Sequence, residues 1–341
     1  MPSAHGQQQP EEPKPSIAIV VPAFELSRSK RLPLAMSEDE LAAITWLTYE
    51  EDDDPFGILA RHLKKSFSHQ DMSCRGIRVH VEENVRQFVA SGVRQALHTM
   101  DPSAAVELAS LTIRQQRMSK TKAEQAILHC AAKVTIHAIR AVRHMLHIGM
   151  TEKEGEKLIL GALSAGGLTD LDAIVLFGPN AALPHASASN EKKLEVGEFA
   201  LFDVGGRLHG YMAKRARQIW TTVSRAQVEA LGALSALNAT GGSVDRAARD
   251  VIETHGFAPY FSHRLGHGIG LQVHEHPYLR GNNEEILIVN ETFTIEPGIY
   301  IEQGADEYKG IGVRLEDMVL LAEEGWRLLT GEDLAQTPWD L

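Results

Sequence analysis

A mixed α/β protein of two domains is what this sequence predicts, and three observations predict it. The first third alternates short apolar runs with helical periods in the order strand, helix, strand, helix, which builds a small α/β unit. Between Thr112 and Ser119 the pattern changes, and a long amphipathic helix opens a second, larger region. In that region carboxylates and histidines interrupt apolar, glycine-rich strands, a pattern that a plain hydrophobic core does not tolerate.

The elements follow in order. Ser16 to Pro22 (SIAIVVP), Ala42 to Thr48 and Gly76 to Val81 read as strands. Phe56 to Phe67 is helical, with Leu59, Leu63 and Phe67 on one face; Glu83 to Met100 follows suit, with Val85, Val89, Val93 and Leu97. Lys122 to His147 is a long amphipathic helix carrying Ile127, Ala131, Val134, Ala138 and Val142. After Gly149, Thr151-Glu152-Lys153-Glu154 is a capping-box signature for a helix to about Leu163. Beyond it Ala173–Phe177, Phe199–Val204, Glu291–Ile301 and Gly312–Leu321 are strand-like, and Arg225–Leu237 and Ser243–His255 helical. The boundary between domains falls near Gln116, giving residues 1–15 as a disordered tail, 16–115 as the smaller domain and 116–341 as the larger.

Composition narrows the function. The 341 residues carry 45 acidic against 34 basic side chains, a net charge of −11, which disfavours nucleic acid and anionic membranes as partners. Met1 to Pro15 is polar and lacks the basic start and apolar centre of a signal peptide, and no run of about 18 to 20 apolar residues spans a bilayer. With only Cys74 and Cys130, expected to be buried free thiols, the expected location is the cytoplasm.

The larger domain holds the chemistry. Ser262 to Pro277 reads S-H-R-L-G-H-G-I-G-L-Q-V-H-E-H-P, with His263, His267, His274 and His276 among glycines that imply tight backbone bends. A cluster of that kind is either a structural loop or a metal site. Glu296 in FTIEPGIY and Glu316 in GVRLED lie inside apolar strands, where a carboxylate needs a salt bridge, for instance to Arg314, or a metal. Asp203 ends the apolar strand FALFDVGG, as a turn-capping residue would, and His185 closes the loop GPNAALPH.

Taken in order, GPNAALPH, FDVG, HRLGHGIGLQVHEHP, TIEPGIYI and GVRLEDM resemble the prolidase, aminopeptidase P and creatinase family over roughly Thr112 to the C-terminus. The resemblance implies a pita-bread catalytic domain, two α/β halves around a carboxylate-rich site, behind a shortened α/β N-terminal domain whose opening strands are missing. It implies divalent metal, manganese first and cobalt or zinc as alternatives, on Asp203, His267, Glu296 and Glu316. It makes His185 and His274 contacts to substrate and the developing tetrahedral intermediate, His263 and Arg314 lining of the substrate pocket, and Glu296 the proton acceptor. The implied partner is a short proline-containing peptide, and the N-terminal domain of relatives suggests a homodimer. Hard oxygen ligands with one imidazole suit manganese-like ions.

The sequence departs from the family at one place. Lys214 stands where a second, bridging aspartate is expected, and Arg217 to Gln227 already resembles the helix that follows, which reads as the deletion of about one strand and its loop after Tyr211. The expectation is therefore hydrolysis of Xaa-Pro bonds at an incomplete dinuclear site. The alternatives are a catalytically impaired relative that serves in binding, and a creatinase-like hydrolase that needs no metal; the retained Asp203, His267, Glu296 and Glu316 argue against the last.

Overall fold

A computed structural model describes residues 16–32, 36–67, 77–209, 211–215, 220–305, 310–331 and 334, with the backbone alone at 67, 211–215 and 220. The expected tail, Cys74, and the start of the helix anticipated at Arg217 lie outside the described residues. The chain divides into two compact units, Met1–Leu111 and Thr112–Leu341.

The first unit runs β1 (Ala18–Pro22), α1 (Leu26–Ser29), α2 (Glu38–Ala42), β2 (Thr45–Tyr49), α3 (Pro55–Phe67), β3 (Arg78–Val81), α4 (Gln87–Met100) and β4 (Ala105–Leu108). β1 pairs with β2 and β3 with β4, both in parallel, as strand–helix–strand connections require. The predicted stripes of α3 and α4 meet: Leu59 and Leu63 pack with Val89, Val93 and Leu97 around Ala60 and Ile77. The second strand starts three residues later than its apolar run, because Ser37 and Glu40 form a capping box that winds Glu38–Ala42 into a helix.

The second unit contains α5 (Leu111–Met118, starting at the boundary), α6 (Lys122–Arg143), α7 (Glu152–Ala165), β5 (Thr169–Phe177), β6 (Ala200–Leu208), β7 (Tyr211–Arg215), α8 (Trp220–Ala233) and α9 (Gly241–Thr254). Seven further strands follow: β8 (Gly266–Gly268), β9 (Glu275–Leu279), β10 (Thr292–Ile295), β11 (Gly298–Ile301), β12 (Ile311–Arg314), β13 (Asp317–Ala322) and β14 (Gly325–Leu328). Thr151 and Glu154 make the capping box that their spacing predicts. Helices α6 and α7 close one apolar core with β5 and β6 through Leu128, Ile159, Phe177 and Val204. Helices α8 and α9 close another with β10 to β13 through Val223, Val244, Phe293 and Val313. These are the two α/β halves of a pita-bread domain, and the sheets order as β5-β6-β7, β14-β13-β10-β8-β9 and β11-β12.

Two predicted strands are each broken in the middle. Glu291–Ile301 divides at Glu296-Pro297, and Gly312–Leu321 divides at Leu315-Glu316; β10 and β13 join the five-stranded sheet while β11 and β12 pair with each other. Pro297 has no N–H for a ladder, so one continuous strand is ruled out there. Each break falls on or beside a glutamate, which frees that side chain from a ladder position and turns it toward the same region.

The glycines of the histidine segment also differ from expectation. Gly266 and Gly268 form strand β8 instead of bends, and what they provide is close approach. A Cβ on Gly266 would lie 1.9 Å from the Thr294 carbonyl oxygen, and one on Gly268 2.1 Å from that of His276. Cys130, expected to be buried, is exposed on α6. A strand does follow β6: β7 pairs antiparallel with it, Lys214 opposite Gly205, and supplies the third strand of that sheet.

Candidate metal centre and substrate cavity

His267 sits at the centre of β8, opposite Tyr278 in β9, and is 1% exposed. Its backbone N–H donates to Thr294 Oγ1 at 3.1 Å, and Thr294 Oγ1 donates to Glu296 Oε1 at 3.2 Å, so one β10 side chain ties histidine and glutamate together. His267 Nδ1 lies 3.0 Å from the Gly268 carbonyl, which can only accept, so Nδ1 carries the proton and Nε2 is turned inward. Nε2 approaches Glu296 Oε1 at 3.1 Å.

Ligand atoms of His267, Glu296 and Glu316 lie within 4.8 Å of one another. One imidazole and two carboxylates, with His267 and Glu316 almost fully buried, suit one divalent ion in donor type and spacing. Burial by itself would raise the Glu296 pKa. The contact with His267 and the positive charge of Arg314 outweigh it and hold the carboxyl well below the usual carboxylate range. Glu296 is therefore anionic at neutral pH.

Asp203 does not belong to that group of three. It projects from the middle of β6, 1% exposed, and its Oδ2 makes a short contact with Arg314 Nη2. The salt bridge expected between Arg314 and a nearby glutamate forms with Glu296, at 3.9 Å from Arg314 Nε to Oε2, and Asp203 makes a second and closer one. Arg314 Nη1 also donates to Tyr300 Oη at 2.6 Å. Desolvation works against that cation, but Asp203, Tyr300, Glu296 and Glu316 hold it protonated.

The chain continues from Arg314 to His263. Tyr300 Oη lies 3.1 Å from His263 Nε2, and His263 Nδ1 donates to the Arg264 carbonyl at 2.7 Å. With Nδ1 protonated, Nε2 accepts from the tyrosine hydroxyl, so the ring is neutral. Burial, the largest influence, lowers the His263 pKa in the same sense. Burial also pushes the Tyr300 hydroxyl up to about 12, so it stays a donor. Gly298 makes this possible, since a Cβ there would lie 2.6 Å from Tyr300 Oη.

These groups line a cavity of about 350 Å³ with His185, Asp203, His263, Arg264, His274, Tyr278, Arg280, Glu296 and Arg314 on its walls. His185 and His274 are exposed to it, and the His274 ring stands edge-on to His267 with centroids 4.3 Å apart. All eight predicted site residues are therefore gathered in one region; of the four predicted metal ligands, Asp203 is turned to an arginine instead of the group of three.

Four contributors escaped the sequence reading. Glu152, seen there only as a helix start, is fully buried; its carboxylate accepts from Phe177 N at 2.7 Å, Asn180 Nδ2 at 3.0 Å and Ser189 N at 2.8 Å, pinning both ends of the loop that carries His185. Nothing local in TEKE distinguishes it from a solvated first-turn acid. Tyr300 stands in TIEPGIYI as one more apolar strand residue, and the glycine two residues before it is the available signal. Arg264 and Arg280 have no sequence signature.

The comparisons with known proteins fall on the same region. The model of metallopeptidase family M24 matches residues 126–323. The chain belongs to metallopeptidase family M24. An uncharacterized peptidase of Schizosaccharomyces pombe is 36% identical over 324 residues, covering 90% of this chain. The chain spans 65% of that relative's length. Among solved structures, a dipeptidase of Mycobacterium ulcerans superimposes with a TM-score of 0.78 at 30% identity, covering 94% of this chain and 83% of its own. The prolidase of Pyrococcus furiosus gives 0.72 at 26% identity, covering 93% and 88%. The M24 match spans every predicted site residue, from His185 to Glu316.

The sequence after Asp203 bears on a second ion. From Val204 to Val228 there is no Asp or Glu, and five cationic residues occur instead: Arg207, Lys214, Arg215, Arg217 and Arg225. The residues present fit one ion on His267, Glu296 and Glu316, and among the described residues no second group of three such ligands occurs.

Proposed function

We propose that this chain hydrolyses Xaa-Pro bonds in short peptides, using a divalent ion, manganese before cobalt or zinc, held by His267, Glu296 and Glu316. The observation that carries this reading is the position of Glu296, which is at once a member of the ligand group and part of the cavity wall. The likeness to a dipeptidase and a prolidase supports the substrate class. When bound, the ion would supply Lewis acidity toward the scissile carbonyl and acidify water.

The chain's own residues do the rest. Glu296, anionic and backed by His267 and Arg314, accepts the proton of the attacking water. His185 and His274, open to the cavity, donate hydrogen bonds to the oxyanion as the carbonyl becomes tetrahedral. The Arg314–Tyr300–His263 chain fixes the opposite wall and keeps His263 a neutral, oriented ring.

A second reading is a binding protein of the same architecture with little turnover, favoured by the absence of any carboxylate over residues 204–228. Manganese titration of chelator-stripped protein, followed by assay on Xaa-Pro dipeptides, separates the two. One bound ion with turnover that Glu296→Ala abolishes supports hydrolysis. One bound ion without turnover favours binding, and unchanged activity in Glu296→Ala sinks the assigned role.

A further inference from the structure

A buried charge cluster stands beside the cavity and takes no part in the ligand group or in the Arg314–Tyr300–His263 chain. Glu275 opens β9, directly after His274, and both oxygens of its carboxylate are engaged. Lys120 Nζ donates to Oε1 at 2.8 Å. Oε2 accepts from Arg117 Nη2 at 2.9 Å, from Arg117 Nε at 3.2 Å and from the Gln272 N–H at 3.1 Å. The Lys120 and Glu275 side chains are 2% and 5% exposed. Gly270 leaves room for the pair, since a Cβ there would lie 2.7 Å from Glu275 Oε1 and 2.8 Å from Lys120 Cε.

The cations belong to one element, α5 and the turn after it. The backbone of Lys120 is itself fixed: its N–H donates to the Asn290 carbonyl at 2.8 Å, and its carbonyl accepts from Gln125 Nε2 at 2.8 Å. Arg114, one turn before Arg117 and so on the same face, has Nη1 2.9 Å from His276 Nε2. α5 therefore holds the two residues that follow His274. The strand ladder does not. β8 pairs His267 with Tyr278, and the register then shifts so that Gly268 faces Glu275, an irregularity that loosens the pairing and re-aims side chains. A buried ion pair is often no more stabilising than apolar side chains of equal volume, so stability alone does not account for this one. Bonds on both oxygens give the carboxylate a single placement, and the residue before it is placed with it.

We propose that Glu275, clamped by Lys120 and Arg117, is a positioning residue that sets the His274 ring edge-on to His267 and open to the cavity. The proposal rests on the Xaa-Pro reading above, in which His274 donates to the oxyanion. Glu275, Lys120 and Arg117 are not on the cavity wall and act through His274.

Glu275→Gln alone would leave Lys120 buried without its anion, so the test combines it with Lys120→Met, which removes both charges at similar volume. On alanyl-proline the manganese-loaded double variant is expected to keep its KM and its manganese affinity and to lose about 10- to 100-fold in kcat, the effect of displacing a group that acts only in the transition state. Arg117→Lys, which keeps a cation at Oε2, is expected to retain more kcat than Arg117→Met. Unchanged kcat in the double variant overturns the proposal, as does a parallel loss of manganese affinity, which would put the effect at the metal centre. If the double variant does not fold, the Arg117 pair decides, and equal kcat in its Lys and Met forms refutes the clamp. If the unaltered protein does not turn over alanyl-proline, the Xaa-Pro reading fails separately. The His274 Hε1 resonance then decides, read in the zinc-loaded full chain and assigned by its loss in His274→Asn. Movement toward the position of a solvated histidine in the double variant, or in Arg117→Met, upholds the clamp, and an unmoved resonance refutes it.

Discussion

Arg314→Met is the substitution that asks most directly whether Asp203 serves an arginine or an ion. Arg314 and Asp203 are 3% and 1% exposed at their side chains, so the substitution breaks a buried ion pair. Breaking such a pair costs about 3–5 kcal/mol. The 2.6 Å hydrogen bond to Tyr300 goes too, which puts the loss at the upper end of that range. Asp203→Asn retains an acceptor oxygen but strands the arginine, which still has Glu296 3.9 Å from its Nε, so its cost is about 2–3 kcal/mol. The double variant, losing both charges, is expected to be more stable than the sum of the single losses by at least about 1 kcal/mol.

The assay is urea unfolding with chelator and then with manganese. An ion bound at about 100 times its Kd stabilises by about 2.7 kcal/mol. That increment should appear equally in the unaltered protein and in Arg314→Met, and vanish in Glu316→Gln. The refuting result is manganese abolishing the whole Arg314→Met penalty, because an ion would then occupy Asp203 once the guanidinium is gone.

Three more outcomes follow from buried groups. Burial raises the Glu291 carboxyl from 4.5 to about 7, so the folded state holds its proton more tightly than the unfolded chain does. The stability this provides is complete below pH about 4.5 and is lost as pH rises to about 7, roughly 3 kcal/mol in all; Glu291→Gln should remove that slope from a pH series of unfolding midpoints. Glu152→Gln puts a donor against the backbone donors of the His185 loop and should lower the melting temperature by roughly 4–8 °C, along with kcat, for a loss of about 2 kcal/mol. Gly312→Ala would place its Cβ 1.6 Å from the Ala181 carbonyl oxygen, so soluble expression with an unchanged melting curve would contradict the packing of β12 on the GPNAA turn.

Periodicity carried the helices and most strands into view because those elements bury one face each, as α6 does with Leu128, Ala131 and Val142. It could not reveal the breaks at Glu296-Pro297 and Leu315-Glu316, where apolar residues continue on both sides and the two halves change sheets. The site was legible where residue type is unusual for its surroundings: histidines among glycines, glutamates inside apolar strands. Where a residue is ordinary for its position the site was silent. Glu152 looks like any first-turn acid, and Arg264 and Arg280 like solvated cations, until tertiary contacts bury one and bring the others to the same tyrosine.

The formal charges favour the single-ion arrangement. Asp203, Glu296 and Glu316 contribute three negative charges, and Arg314 with one divalent ion contributes three positive ones. A second ion would leave an excess of two positive charges in a largely buried site, next to a strand whose sequence adds Lys214 and Arg215 and no carboxylate.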